Sequence, residues 1–113
     1  MQIVKNSEKV EKKNPGACII YEYPLVDRDI DGAVAKINGR EPVKGFEANK
    51  KCKELCYVIE GGGKLFSRDR SFDLVKGDMV LIQPNEEYYW DGKMILFISC
   101  NPKWTAQDHV FVK

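Results

Sequence analysis

Short stretches of β-forming residues, each ended within a few positions by a turn signal, constrain the fold of this 113-residue chain most strongly. No stretch keeps a helical period over two or three turns. Gly, Pro, Asn and Asp separate the stretches, and these residues favour tight turns. The pattern is typical of an antiparallel sandwich or barrel. The strands it predicts are 17–23, 33–37, 54–60, 64–67 paired with 72–75, 79–82, and 87–90 paired with 93–99.

Three glycine-containing segments shape the connections in this prediction. Asp91-Gly92 is a strong hairpin signal because both turn positions of a type I′ turn need positive φ. The run 61–63, which is all glycine, predicts a sharp bend after the strand 54–60. The segment 41–53 contains Pro42 and Gly45 and is expected to be a loop. Residues 104–113 are expected to form a final strand or an arm.

The chain length predicts a single domain with one core. Residues 1–14 are polar and are expected to form a flexible N-terminal arm, with a short strand possible only at Ile3-Val4. Residues 15–113 then form the single barrel domain.

The composition argues against two classes of partner. The chain has 18 Lys+Arg and 17 Asp+Glu, giving a net charge of +1, whereas nucleic-acid binding usually requires a marked basic excess. Its longest apolar run, 94–100, is far too short to span a bilayer. We therefore expect neither a nucleic-acid nor a membrane partner. No secretory signal is visible, so we expect a cytoplasmic protein with four free, inert cysteines, namely Cys18, Cys52, Cys56 and Cys100.

Two segments resemble the paired motifs of the cupin superfamily. The first contains Glu54 followed by Tyr57-Val58-Ile59-Glu60-Gly61, and the second opens on Gly77-Asp78 and runs through an apolar strand to Pro84. Their spacing fits a small single-domain cupin. The resemblance implies an all-β, antiparallel jelly-roll β-barrel, and it implies a homodimer because many family members pair their subunits. This agrees with the all-β prediction from strand and turn patterning.

The chain departs from the cupin pattern at the usual metal ligands. The family's His-x-His falls on Ala48 and Lys50 or on Glu47 and Asn49, and its closing histidine falls on Tyr88. Glu54 is the one usual ligand that remains. Imidazole ligands suit iron, nickel, copper and zinc, and none is present at these positions. The resemblance therefore carries over the barrel without its usual metal, and we expect no cofactor.

Strand alternation predicts which side chains face the barrel interior. Residues two apart share a face, so Glu54 and Cys56 point inward together, as do Tyr88 and Trp90. Such a lining suits a small organic ligand with a polar handle. The predicted ligand-binding residues are Glu54, Cys56, Tyr88 and Trp90, with Asn49 and Gln83 nearby. The alternative is a dry core filled by the aromatic side chains, with Glu54 paired to Lys50 or Lys53.

These observations leave three functional hypotheses. The first is a small-molecule-binding or sensing protein that binds an organic ligand in the barrel mouth. The second is a metal-independent sugar isomerase or epimerase, in which Tyr88 acts as acid and Glu54 as base. The third is a metalloenzyme with non-standard ligands drawn from Glu47, Asn49, Glu54, Cys52, Cys56 and Cys100. His109, the one histidine, lies in the terminal segment.

Overall fold

The computed structural model describes all 113 residues. Nine strands follow in chain order, with a short 3₁₀ turn at Asn6–Glu8 and another at Ala106–Asp108. The strands are β1 (Val10–Asn14), β2 (Cys18–Tyr23), β3 (Gly32–Glu41), β4 (Phe46–Asn49), β5 (Lys53–Phe66), β6 (Ser71–Val75), β7 (Met79–Ile82), β8 (Tyr89–Asn101) and β9 (His109–Val112). No helix is long or apolar enough to cross a membrane.

The strands form one large and one small antiparallel sheet. The large sheet has the order β1-β2-β3-β8-β5-β6, and β7 pairs with the first part of β5. The small sheet consists of β4 and β9. A single bridge between Glu47 and Tyr88 joins the two sheets. This arrangement confirms the predicted all-β, antiparallel jelly-roll fold.

The predicted hairpin at Asp91-Gly92 is wrong, because β8 runs unbroken through both residues. Gly92 lies opposite Gly63 of β5. A Cβ atom on Gly92 would lie 2.6 Å from the Gly62 carbonyl oxygen and 2.6 Å from Gly63 Cα. The glycine therefore permits a close approach of two strands rather than a turn.

The predicted sharp bend at 61–63 is also wrong. β5 continues through all three glycines and pairs with β8 on one side and β6 on the other. The strand instead carries a bulge, seen as a shift in register between Val58 and Glu60. Gly61 has φ 76°, and a Cβ there would collide with the Lys93 carbonyl. Bulges of this kind favour glycine at the left-handed position.

Strand placement differs from the prediction at three further points. Ile3-Val4 is not a strand; the N-terminal strand is β1, which pairs with β2. The segment 41–53 is not all loop, because it contains β4. β3 continues beyond 37 to Glu41. In contrast, the predicted pairing of 64–67 with 72–75 is confirmed by the register of β5 and β6, and the C-terminal strand is β9.

The core lies on the inner face of the large sheet, as the alternation predicted. Along β5 the buried side chains include Glu54, Cys56 and Val58; Trp90 is buried in β8, and Tyr88 is buried just before that strand. The core cluster contains mainly aliphatic, thiol and aromatic side chains: Cys18, Ala35, Ile37, Cys56, Val58, Leu65, Leu74, Ile82, Tyr88, Trp90, Met94 and Leu96. These residues do not fill the interior completely, and a cavity remains beside them.

Candidate functional site

A cavity of about 360 Å³ opens inside the barrel. One wall is the inner face of β1, β2, β3 and β8. The opposite wall comes from β4, from β9 and from the segment that precedes β9. Its apolar surface includes Ile20, Ala35, Ile37, Trp90, Leu96, Ile98, Trp104 and Phe111. The interior is therefore not completely filled by side chains, in contrast to the alternative interpretation.

Three glutamate carboxyl groups line this cavity without a cationic partner. They belong to Glu41 on β3, Glu47 on β4 and Glu54 on β5, and none of them takes part in an ion pair. The one Lys or Arg side chain in the lining is Lys12, whose Nζ lies 2.6 Å from a Glu22 carboxylate oxygen. The polar part of the cavity is thus acidic and poor in fixed positive charge.

Glu54 lies at the centre of a hydrogen-bond network. Asn49 Nδ2 donates to Glu54 Oε1 at 3.2 Å, Cys56 Sγ donates to Oε2 at 3.4 Å, and the Tyr88 hydroxyl donates to Oε1 at 3.4 Å. Burial raises the pKa of Glu54 above its usual range, although these hydrogen bonds oppose the rise. Glu54 is not paired with Lys50 or Lys53, both of which are exposed.

Glu47 is held largely in its neutral form. Burial, followed by the nearby charge of Glu54, raises the pKa of Glu47 to about 8, and a hydrogen bond with Tyr88 works in the opposite direction. Burial also raises the pKa of Glu41, which accepts a 3.5 Å hydrogen bond from Asn14 Nδ2. At neutral pH Glu47 can therefore donate a proton, a property that an exposed glutamate lacks.

Asn49 links Glu54 to the C-terminal wall. Its Oδ1 lies 3.1 Å from Trp104 Nε1 and 2.9 Å from His109 Nδ1. Asn49 faces inward because it lies two residues from Glu47 on the same strand. Burial lowers the pKa of His109, and no nearby charge contributes to the shift. The imidazole is therefore mostly neutral at pH 7.

Asp31 anchors the start of the same wall. Its Oδ1 accepts a hydrogen bond from the Cys100 backbone N–H at 2.7 Å, and its Oδ2 accepts one from the Trp104 backbone N–H at 2.9 Å. A backbone bond from Lys50 N–H to the Asp108 carbonyl, 2.8 Å, holds the other end against β4. These contacts fix Trp104 and His109 against the cavity.

The structure distributes the six predicted ligand-binding residues in three ways. Glu54 and Trp90 line the cavity. Asn49, Cys56 and Tyr88 are buried behind Glu54 as its hydrogen-bond partners. Gln83 is exposed outside the cavity, in a turn where its N–H donates to Glu86 at 2.7 Å.

The residues that line the cavity but were missing from the predicted set include Glu41, Glu47, Trp104 and His109. Recognition of β4 as a strand would have pointed to Glu47, because it alternates with Asn49. The other three depend on pairings between distant parts of the chain. The structure contains no group of three or more His, Cys, Asp or Glu side chains that could hold a metal ion. All four cysteines are buried free thiols.

No protein-family model matches the sequence, and none of the curated proteins matches it. Solved structures do match. Pac13 from Streptomyces, described as a nucleoside dehydratase, superposes with a TM-score of 0.91 at 17% identity over 100% of this chain and 92% of that chain. Variants of Pac13 have been solved with uridine.

Two further structures share the fold. KdgF from Halomonas matches with a TM-score of 0.76 and 12% identity, covering 95% of this chain and 98% of that chain. An RmlC-like cupin from Shewanella frigidimarina matches with a TM-score of 0.74 and 13% identity, covering 91% and 92%. The chain therefore has the cupin fold, as its two motifs indicated.

Proposed function

We propose that this cupin-fold chain binds a small, uncharged, hydroxyl-bearing organic molecule of the nucleoside class in its cavity. The observation that carries the proposal is the lining itself: three glutamate carboxyl groups without a cationic partner, set against apolar and aromatic walls. Hydroxyl groups can donate to a carboxylate and accept from a protonated carboxyl, so they satisfy either form. The uridine complexes of Pac13, which shares the fold, support this class of ligand.

The size and the walls of the cavity fit this class. A volume of about 360 Å³ lies within the usual range for small-molecule sites. The indoles of Trp90 and Trp104 line it, and aromatic faces stack on planar nucleobases. A sugar ring and a base together would use both the polar and the aromatic parts of the lining.

A phosphorylated ligand suits the cavity poorly. A phosphate group brings negative charge into partly desolvated surroundings that supply no free cation. Burial of a charge without a partner is unfavourable. The one lining Lys is already paired with Glu22. We therefore expect the cavity to select a nucleoside over the corresponding nucleotide.

Intrinsic tryptophan fluorescence tests this proposal, because both tryptophans line the cavity. Titration with uridine should change the emission saturably, and uridine 5′-monophosphate should bind at least about tenfold more weakly, which corresponds to roughly 1.4 kcal/mol. Glu54→Gln should weaken uridine binding, whereas Gln83→Ala, an exposed control outside the cavity, should not. Equal affinity for the nucleotide, or no saturable response to uridine and related nucleosides, contradicts the proposal.

A second candidate function is proton-transfer catalysis on the same class of ligand, as in a metal-independent isomerase or epimerase. It is favoured by Glu47, which keeps a proton near neutral pH beside a second carboxyl. Tyr88 is less suited to the acid role because it lies behind Glu54 and not in the lining. Incubation with ketose or aldose nucleosides in D₂O, followed by proton NMR, would reveal exchange at carbon. If the ligand binds and no exchange occurs, the protein binds the ligand without catalysing proton transfer.

We also propose that the chain forms a homodimer. The outer face of β5 carries Leu55 and Tyr57, whose register partners across β7 and β8 are Leu81, Met79 and Phe97. Met79 is 63% exposed and Leu81 is 53% exposed. A contiguous apolar face of this kind is typical of a protein–protein contact. A second copy is the occupant we propose, because this face carries no run of charge that would select a different partner.

Sedimentation velocity tests the homodimer. The wild-type chain should sediment as a dimer at micromolar concentration, and Leu81→Lys should shift it to monomer. Val26→Lys, at an apolar residue that is 87% exposed but outside this face, is the matched control and should leave the dimer intact. A wild-type monomer at all concentrations tested contradicts the proposed pairing.

A further inference from the structure

His109 and Glu47 reach the cavity from two paired strands. In the register of β4 and β9, Asn49 lies opposite His109 and Glu47 lies opposite Phe111. Residues directly opposite each other in an antiparallel pair project to the same face. His109 and Glu47 are thus diagonal neighbours, about 7–8 Å apart. Both side chains line the cavity.

Trp104 determines which way the Asn49 amide faces. An indole N–H can only donate, so the Asn49 atom 3.1 Å from Trp104 Nε1 is the oxygen. The amide nitrogen then points to Glu54, as its 3.2 Å hydrogen bond requires. The orientation of Asn49 is therefore fixed by two independent contacts.

The same oxygen fixes the tautomer of His109. It lies 2.9 Å from His109 Nδ1, and because an amide oxygen can only accept, Nδ1 carries the proton. In the neutral ring Nε2 is then the unprotonated nitrogen. Nε2 makes no hydrogen bond to the protein, yet no buried side-chain nitrogen or oxygen lacks a partner. Nε2 is therefore open to solvent, and His109 lines the cavity.

We propose that His109 Nε2 is the general base of this cavity, that Asn49 is its positioning residue, and that Glu47 is the opposing acid. The inference rests on the proposed function, because it assigns roles toward a hydroxyl-bearing ligand in the same site. Nε2 takes the proton from a hydroxyl-bearing ligand carbon next to a carbonyl; the C–H bond breaks and its electron pair forms a C=C bond. The π electron pair of the carbonyl moves to its oxygen, which takes the proton of the Glu47 carboxyl. The ligand remains neutral, with an imidazolium and a carboxylate left behind.

The electrostatics of both groups support these roles. Burial lowers the pKa of His109, which keeps the ring neutral, whereas burial and Glu54 raise the pKa of Glu47, which keeps its proton. Environments that separate two pKa values in this way assign base and acid. The one charged side chain beside His109 in the sequence, Asp108, faces Lys51 at 3.8 Å and Thr105 at 2.7 Å.

NMR of the ¹⁵N-histidine-labelled protein tests the inference directly, because the chain contains one histidine. The ligand-free protein should show the Nδ1-protonated tautomer and a pKa below 6.5. Asn49→Ala should abolish the tautomer preference, and Asn49→Asp should restore it and raise the pKa of His109 through the added charge. Trp104→Phe, which deletes only the indole N–H partner of Asn49, should weaken the preference without removing an aromatic wall.

Chemical modification gives a second readout. Diethyl pyrocarbonate attacks unprotonated imidazole nitrogen, so it should modify His109 Nε2. Uridine at ten times its Kd should slow the modification about tenfold, because a bound ligand covers Nε2. Gln83→Ala should behave as the wild type.

The outcomes separate the two proposals. A predominantly Nε2-protonated ring in the free protein overturns the inference whether or not uridine binds. Uridine that binds by fluorescence but leaves both the His109 resonances and the modification rate unchanged also overturns it, while the proposed function stands. If uridine does not bind, the proposed function fails and the tautomer alone decides the inference.

Discussion

The raised pKa of Glu47 predicts that this protein loses stability as the pH rises from acid to neutral. The pKa of Glu47 is about 8 in the folded chain, against 4.5 for an unperturbed glutamate. Between these values the unfolded chain releases its proton while the folded chain keeps it. Raising the pH therefore favours the unfolded state. The stabilisation is complete below pH 4.5 and is lost as the pH approaches 8.

The size of the effect follows from the two pKa values. A tenfold difference in proton affinity corresponds to about 1.4 kcal/mol, so the loss between pH 4.5 and 8 is at most about 5 kcal/mol. Glu47 is half-buried and shares its environment with Glu54, so we expect about 2–3 kcal/mol from Glu47 itself. That is a large fraction of the stability of an ordinary domain.

Glu47→Gln removes this dependence, because glutamine has nearly the same shape and cannot ionise. The variant should match the wild type at pH 4 and exceed it by about 2–3 kcal/mol in free energy of unfolding at pH 8. Urea unfolding followed by tryptophan fluorescence at pH 4, 6 and 8 measures the difference. Glu60→Gln is the matched control, since Glu60 is exposed and its ion pair, with Lys76 at 3.6 Å, is at the surface. Parallel pH profiles for the wild type and Glu47→Gln would refute this reasoning.

Three other predictions concern stability and reactivity. Gly92→Ala should destabilise the protein by about 1–3 kcal/mol in urea unfolding, because the new Cβ collides with the partner strand. Gly32→Ala is the control: the atom nearest to its new Cβ is 3.7 Å away, so the loss of stability should be smaller. Equal losses for the two variants would contradict the close-approach argument. Burial raises the pKa of all four thiols, that of Cys18 to about 12. Ellman's reagent should therefore react slowly with the native protein at pH 8 and fully after unfolding. Rapid reaction of the native protein would refute this prediction. Asp31→Ala leaves the backbone N–H groups of Cys100 and Trp104 without their acceptor. Amide hydrogen exchange across residues 100–109 should therefore be faster in the variant. Unchanged exchange would mean that other contacts hold this segment against the cavity.

The sequence predicted the architecture because local signals agreed with one another. Strand alternation placed Glu54 and Cys56 on one face, and turn residues bounded β6 and β7 correctly. Glycine was the main source of error, since it serves both tight turns and close strand contacts. Asp91-Gly92 has the composition of a hairpin turn, and only the approach of Gly63 from another strand reveals its actual role.

The candidate site was predicted less completely, for a physical reason. Glu54 and Trp90 follow from periodicity within single strands. His109 and Glu47 come together only because β9 pairs with β4, and those strands are about 60 residues apart in the chain. Neither strand has a strong local pattern, because each contains four residues and mixes polar with apolar side chains. Non-local pairing of this kind is not encoded in any short window of sequence.

One face of β5 lines the barrel interior and its other face is exposed, and this arrangement has a practical use. Glu54 lines the cavity and Cys56 is buried behind it on the same face of the strand, while Tyr57 lies on the opposite, exposed face. A fluorine atom on the Tyr57 ring would therefore lie outside the cavity but on the same strand as Glu54. Its ¹⁹F resonance should respond to occupancy of the interior without obstructing entry. Position 57 thus offers a reporter outside the cavity for screening compounds, on the face that we propose for the dimer contact.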